Sequence, residues 1–226
     1  MTIDKTRLGE TVDRAADTLL LGGDLDAAKR EPIVEWLLDR QVRSGRNAGA
    51  FAPTKSDLAD GVRLYTGETL RTKLAAWNVL TAETARLLLL LSGTSERVSN
   101  AVERAEAWLG VSCFGVRDCA IGECAHSLVA YLRFLARSSA DPAFVVRGIN
   151  TIRAHRDGNG RWKRFPFYYT LLTLTEIQSE PARRELRYAV EACQRVRGRC
   201  ARSEVFAARR EALVERILVL DDLRLL

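Results

Sequence analysis

The sequence predicts an all-α protein made of α/α helical hairpins that form an open arc or a small α/α toroid. Apolar residues recur at the helical spacing along almost the whole chain, and two-helix segments of similar order recur about 44 residues apart. Five prolines and an aromatic content of 7% argue against a β-sandwich, in which turns recur about every 8–12 residues. Each hairpin of such an array buries its apolar face only against its neighbours.

About nine helices are predicted in order from the N-terminus. Their ends carry recognisable signals: Gly22-Gly23 follows the first helix, Asp24 precedes the second, and Ser95 or Thr94 precedes the fourth. The predicted ranges are 4–21, 24–43, 69–91, 95–109, 125–137, 142–155, 167–178, 181–197 and 203–220.

The 226 residues are predicted to form a single all-helical domain, 1–226, with four segments. These are an N-terminal hairpin (1–43), an inserted loop (44–67), a repeat core (68–178) and an Arg-rich C-terminal helical pair (179–226). The inserted loop is the longest irregular segment, and long loops in compact domains are often functional. Two alternatives stay open for it, a lid over a ligand site and a solvated loop.

The repeat has a fixed internal order. An apolar helix is followed by a loop that ends in Gly-x-bulky, and then by a second apolar helix opened by a hydroxyl residue. The three hydroxyl residues, Thr81, Ser127 and Thr170, are 46 and 43 residues apart. We expect the second helices to face a shared hollow.

Two of these segments resemble the glutamine–tryptophan repeats of squalene-hopene cyclase and other terpenoid cyclases. They read WLLDRQ…GAF and HRDGNGRW, and the string PFYYTLLTL resembles an inner-helix segment of the protein prenyltransferase β subunit. Gln41 matches the glutamine of the motif, His155 stands at that place in the third repeat, and Gly160 with Trp162 matches Gly-x-Trp. Weaker versions are Gly49 with Phe51 and Gly122 with Cys124. The resemblance covers 36–177 and implies inner helices around an apolar cavity.

The sequence lacks the Asp-rich string that supplies the catalytic acid in this family. Cyclases that protonate a double bond use an Asp-rich DxDDTA string, whereas this sequence has WNVLTAETA, with Trp77 and Asn78 where acids would stand. Without a carboxylic acid there, alkene protonation has no evident donor. The resemblance therefore implies a protein that binds an apolar, isoprenoid-like ligand or a partner protein in its concave face. The sequence assigns no catalytic residue.

Cations and aromatic residues are concentrated in the segment RDGNGRWKRFPFYY. Arginines favour bidentate recognition of phosphate groups, and aromatic rings cover an apolar tail. The alternative is a structural hairpin loop in which Trp162 fills the gap between repeats. The candidate ligand-binding residues are Arg156, Arg161, Arg164, Trp162, Tyr168, Tyr169 and Tyr131.

Three cysteines and a histidine within fourteen residues are candidate metal ligands: Cys113, Cys119, Cys124 and His126. Thiolate and imidazole suit zinc, although the spacing lacks the tight C-x2-C pattern of structural sites. The resembled prenyltransferases hold zinc at the starts of inner helices, which implies an alternative function, a zinc-dependent transferase using Cys124 and His126. The other interpretation is that these cysteines are small apolar residues packed under a loop.

Charge and composition bear on partners and location. The net charge is +6, with thirty Arg against five Lys, and Arg residues follow one face of the C-terminal helices, so a nucleic-acid-binding repeat protein is a further alternative. The other interpretation of that face is a solvated one with i,i+4 ion pairs.

No apolar run has the length of a membrane span, and the charged start does not resemble a secretory leader. We therefore expect a cytoplasmic protein.

Overall fold

The computed structural model describes residues 4–20, 26–92, 95–138, 140–199 and 206–226. Within these residues the chain forms eleven helices and no strand, which confirms the all-α prediction. The helices are α1 (Leu8–Leu20), α2 (Ala27–Asp39), α3 (Lys55–Asp60), α4 (Lys73–Ser92), α5 (Glu96–Gly110), α6 (Cys113–Arg117), α7 (Cys124–Ser138), α8 (Pro142–Ala154), α9 (Phe167–Glu176), α10 (Glu180–Val196) and α11 (Ala207–Asp222).

Nine of these helices correspond to the nine predicted ones, and α3 and α6 are additional. Both are too short, at six and five residues, to show a helical period in the sequence. Thr54 and Asp57 form a capping box at the start of α3, a local signal inside the predicted loop. The side chain of Asp26 caps α2, and the predicted cap at Asp24 lies outside the described residues.

The chain forms two compact units. The first unit comprises Met1–Arg63 and Thr69–Cys119, and the second comprises Leu64–Glu68 and Ala120–Leu226. The prediction of a single domain stays a prediction.

Helix α4 is the core helix of the first unit. It packs against α1, α2 and α5, and α6 packs against α5. Over an 18-residue window of α4 the mean hydropathy is 1.3, which is high enough for a membrane span, but 78% of that window is buried inside the protein. The remaining described helices do not meet the length and hydropathy of a span. Burial of this kind is typical of the core helix of a folded unit.

The second unit has an alternating order of helix contacts. Helix α9 packs against both α7 and α11, while α8 packs against α10. Consecutive helices also pack as pairs, α7 with α8, α9 with α10 and α10 with α11. Ser127 and Thr170 are the fourth residues of α7 and α9, close to the predicted helix starts. Thr81 is the ninth residue of α4, so the prediction that it opens a helix is wrong. These contacts are those expected of stacked α/α hairpins within this unit.

A short piece of the predicted inserted loop is part of the second unit. Arg209 Nη1 donates to the carbonyl of Tyr65 at 2.8 Å, and Arg210 Nε donates to that of Thr66 at 2.7 Å. The N–H of Tyr169 donates to Glu68 Oε1 at 3.2 Å. The segment Leu64–Glu68 is therefore packed on α9 and α11 and is not a solvated loop.

Candidate functional site

The loop after α2 is built on the predicted Gly-x-bulky pattern. Gln41 and Phe51 form an antiparallel bridge, and the N–H of Phe51 donates to Thr81 Oγ1 at 3.1 Å. Gly49 has φ +98°, and a Cβ atom there would lie 2.4 Å from the carbonyl oxygen of Arg104. Only glycine permits both this conformation and this approach to α5.

The loop after α8 has the same construction in the second unit. Arg156 and Trp162 form the bridge, and Gly160 has φ +80°, with a Cβ position 2.9 Å from the Cβ of Ala192 on α10. The equivalent of Gln41 is therefore Arg156, one residue beyond the predicted His155.

The middle repeat does not form this loop. Gly122 has φ +55° with open space where a Cβ would stand, and Cys124 is the first residue of α7. The bridges of the described residues include neither of them. The predicted equivalence of Gly122-x-Cys124 with the other two loops is wrong.

Arg156 and Trp162 share one buried acceptor. The carboxylate of Glu185, 1% exposed, accepts from Arg156 Nε and Nη2 at 3.0 and 2.8 Å and from Trp162 Nε1 at 2.9 Å. Trp162 is itself 3% exposed. Both side chains therefore attach the loop to α10, which supports the structural alternative for this segment.

The other candidate ligand-binding residues make contacts of several different kinds within the second unit. Tyr169 is fully buried, with the Arg133 guanidinium 5.8 Å from its ring centre, and Tyr131 is buried edge-on to Phe144. The remaining three are Arg161, which lies 4.4 Å over the Phe167 ring, Arg164, which is exposed with φ +71°, and Tyr168, which lies 5.1 Å from the Arg210 guanidinium.

The candidate metal ligands are divided between the two units. Cys113 is exposed and Cys119 half-buried, and their sulfur atoms lie within 4.8 Å of each other around α6. Cys124 and His126 lie on α7 in the second unit. Burial lowers the pKa of His126 below its usual value. Two thiols in one unit supply half of the four ligands of a structural zinc site, so zinc binding stays a prediction.

The Arg-rich face of α10 is ion-paired. The exposed carboxylate of Glu180 accepts hydrogen bonds from Arg183, Arg184 and Arg187 at 3.2, 3.1 and 2.8 Å. These three guanidinium groups lower the pKa of Glu180 to about 2. The geometry supports the ion-paired interpretation of this face over a nucleic-acid surface.

A pocket in the first unit, which we call the Trp groove, has two indole walls. The ring centres of Trp77 on α4 and Trp108 on α5 are 6.5 Å apart. Leu74 and Val111 beside them are 65% and 78% exposed. The cavity volume is about 470 Å³, and its lining holds no acidic residue among those the structure describes. The lining residues are Arg46, Asn47, Leu74, Trp77, Asn78, Trp108, Val111 and Ser112.

A second pocket, which we call the Arg pocket, lies on the same face of α5. Its volume is about 400 Å³, and its lining residues are Leu38, Gln41, Arg43, Arg97, Asn100 and Arg104. The α5 residues of the two pockets, 97, 100, 104 and 108, and the C-cap residue Val111 are spaced by three or four, which is one helical face. The loop crosses α5 at Arg104, where Gly49 approaches its carbonyl.

The Trp groove is not predicted from the sequence, although one signal for it is present. Each tryptophan has an aliphatic residue three positions away on the same helical face, Leu74 before Trp77 and Val111 after Trp108. The sequence does not show that these four side chains meet at one groove, because α4 and α5 carry them at separate places in the chain.

No protein-family model, no curated protein and no solved structure matches the chain. The predicted resemblance to terpenoid cyclases and prenyltransferases stays a prediction.

Proposed function

We propose that the chain is a binding protein for an apolar, isoprenoid-like small molecule, which lies in the Trp groove. The observation that supports this most is the pair of half-buried indoles, 6.5 Å apart, at a cavity of about 470 Å³. Small-molecule sites typically measure about 300–1,000 Å³, with mostly apolar walls and a few polar groups. Here Arg46, Asn47, Asn78 and Ser112 are the polar groups.

The size of the apolar surface favours a small molecule over a partner protein. A stable protein interface buries about 800 Å² on each partner, with aromatic anchors inside a wide patch. Among the described residues that line the groove, the exposed aliphatic ones are Leu74 and Val111. Covering apolar surface contributes about 2.5 kcal/mol for each 100 Å², which is sufficient for a ligand with a hydrocarbon chain.

Binding, rather than protonation, suits the groove. Its lining has no carboxyl group among the described residues, so it offers no acid to protonate a double bond. The isoprenoid class itself comes from the resemblance of 36–177 to terpenoid cyclases. A cytoplasmic location, with reduced thiols, is part of the same proposal.

Equilibrium dialysis with radiolabelled farnesol tests the proposal. We expect saturable binding by the wild-type protein and an affinity about tenfold lower for Trp108→Ala, because a large aromatic wall is removed. Trp36→Phe is the control, since Trp36 is a half-buried tryptophan of α2 in the same unit and outside the groove lining. Circular dichroism shows whether each variant is folded.

Two results would overturn the proposal of a small-molecule site in the Trp groove. One is the absence of saturable farnesol binding by the wild-type protein. The other is a folded Trp108→Ala variant that binds farnesol as tightly as Trp36→Phe does. Retention of a protein in place of farnesol would count against the small-molecule proposal.

A further inference from the structure

We propose that the Arg pocket is an anion site that binds a phosphate or diphosphate group. This inference concerns a different pocket from the Trp groove and does not depend on binding there. It depends on the charge state and the fixed position of Arg104, on the neighbouring cation Arg43, and on the 400 Å³ cavity that they line.

Arg104 is held in place by a neutral group. Its Nε and Nη2 donate to Oε1 of Gln41 at 3.1 and 2.8 Å. The orientation of the Gln41 amide is fixed, because its Nε2 donates to the carbonyls of Gly49 at 2.9 Å and Ala101 at 2.7 Å. Gln41 is only 6% exposed. The amide therefore positions the guanidinium without neutralising its charge.

The remaining donor of Arg104 is available to a ligand. Among the described residues no carboxylate lies within ion-pair distance of Arg104, and its Nη1 makes no hydrogen bond. A guanidinium that is already oriented loses little side-chain entropy when it binds an anion. Such a group is suited to a phosphate oxygen.

Arg43 supplies a second cation to the same cavity. It is exposed on the loop and takes part in no ion pair or hydrogen bond among the described residues. Asn100 adds an amide donor from the α5 face. The cavity therefore combines an arginine held by a neutral amide, an arginine without an ion pair, and an amide donor. This set of donors is typical of phosphate recognition.

The acidic residues near the Arg pocket interact with Arg97 by hydrogen bonds and charge attraction. Glu35 accepts from Arg97 Nη1 and Nη2 at 2.7 and 2.9 Å, and this pairing lowers the pKa of Glu35. Glu31 and Asp39 also interact with Arg97 electrostatically. The charge of Arg97 is thus compensated, so the attraction for an anion comes from Arg43 and Arg104.

The chain offers a matched control for this site. Arg46 is an exposed arginine of the same loop, three residues after Arg43, but it lines the Trp groove instead of the Arg pocket. Arg43→Gln and Arg46→Gln remove the same charge from the same loop, and neither side chain makes a bond within the described residues whose loss would affect folding.

Isothermal titration calorimetry with inorganic pyrophosphate at low salt tests the inference. We expect one saturable site on the wild-type protein, an affinity lower by about tenfold in Arg43→Gln and in Arg104→Gln, and a change of less than about twofold in Arg46→Gln. The inference is overturned if the wild-type protein does not bind pyrophosphate saturably. It is also overturned if Arg46→Gln weakens binding as much as Arg43→Gln, since that would show a general charge effect.

Retention on lipid vesicles, compared with pyrophosphate binding, identifies the source of the phosphate group. Retention on vesicles that contain phosphatidic acid, lost in Arg43→Gln, would support the site with a lipid headgroup as its ligand. Pyrophosphate binding without such retention would support the site with a soluble phosphate ligand. Farnesol binding depends on Trp108 and pyrophosphate binding on Arg43, so each proposal can fail while the other stands.

Discussion

The amide oxygen of Gln41 and the guanidinium of Arg104 form a two-bond contact, 3.1 and 2.8 Å long, between the loop after α2 and helix α5. The same glutamine donates from its amide nitrogen to two buried carbonyls, those of Gly49 and Ala101. One side chain therefore joins the loop to the helix that carries both pockets.

Gln41→Ala is expected to destabilise the protein by about 2–4 kcal/mol. It removes the donor of two buried carbonyls and the acceptor of Arg104, and unpaired buried polar groups cost about 1–3 kcal/mol each. Urea unfolding measures the change. Gln178→Ala is the control, because Gln178 is exposed. Equal stability of the two variants would contradict the structural role of Gln41.

Gly49→Ala is expected to destabilise the first unit more than Gly45→Ala does. Both glycines have positive φ, so both substitutions introduce about 1–2 kcal/mol of backbone strain. A Cβ on Gly45 meets open space, whereas one on Gly49 meets the carbonyl of Arg104 at 2.4 Å. Thermal unfolding compares the two variants. Similar melting temperatures would show that the close approach of the loop to α5 is not present in solution.

Glu176→Ala is expected to cost about 3–5 kcal/mol of stability, because it removes a two-bond carboxylate partner from a buried guanidinium. Arg133 has a side chain that is 0% exposed, and it donates to Glu176 at 3.0 and 2.7 Å. The control is Arg183→Ala, which breaks an exposed ion pair with Glu180 and is expected to change stability by less than about 1 kcal/mol. Urea unfolding that gave both variants the same stability would contradict the burial of Arg133.

Cys193 and Cys113 are expected to differ in reactivity. Burial raises the pKa of the Cys193 thiol to about 12, so it carries almost no thiolate at pH 8, whereas Cys113 is exposed. Mass spectrometry after brief iodoacetamide treatment of the native protein should find Cys113 alkylated and Cys193 unmodified. Rapid alkylation of Cys193 would contradict its burial.

The same raised pKa predicts a loss of stability at high pH. The thiol of Cys193 ionises near pH 9 in the unfolded chain and near pH 12 in the folded protein. Its contribution to stability is therefore fully present below pH 9 and is lost as the pH rises from 9 towards 12. Cys193→Ala should show a smaller decrease of unfolding free energy over that range, and an equal decrease in both proteins would count against the shift.

The sequence predicts the local features of this fold better than its contacts. Apolar periodicity locates nine helices, and the Gly-x-bulky pattern locates the two loops that end in Phe51 and Trp162. The same pattern fails at Gly122, because nothing in the sequence shows whether a helix packs over that glycine. Periodicity tells which face of a helix is buried but not which residue covers it.

The candidate sites show the same limit. The partner of Arg156 and Trp162 is Glu185, on a helix that no spacing rule connects to them. Likewise Trp77 and Trp108 become one groove only when α4 and α5 pack. The residue types suitable for an apolar ligand and an anion were visible in the sequence, but their grouping depends on tertiary contacts.

Nitrogen-15 NMR of the four indole N–H groups during a farnesol titration tests the central claim most directly. We expect the resonances of Trp77 and Trp108, which line the groove, to shift with one saturable isotherm, while those of Trp36 and Trp162 stay in place. No shift at all, or equal shifts at all four tryptophans, would contradict a ligand site between Trp77 and Trp108.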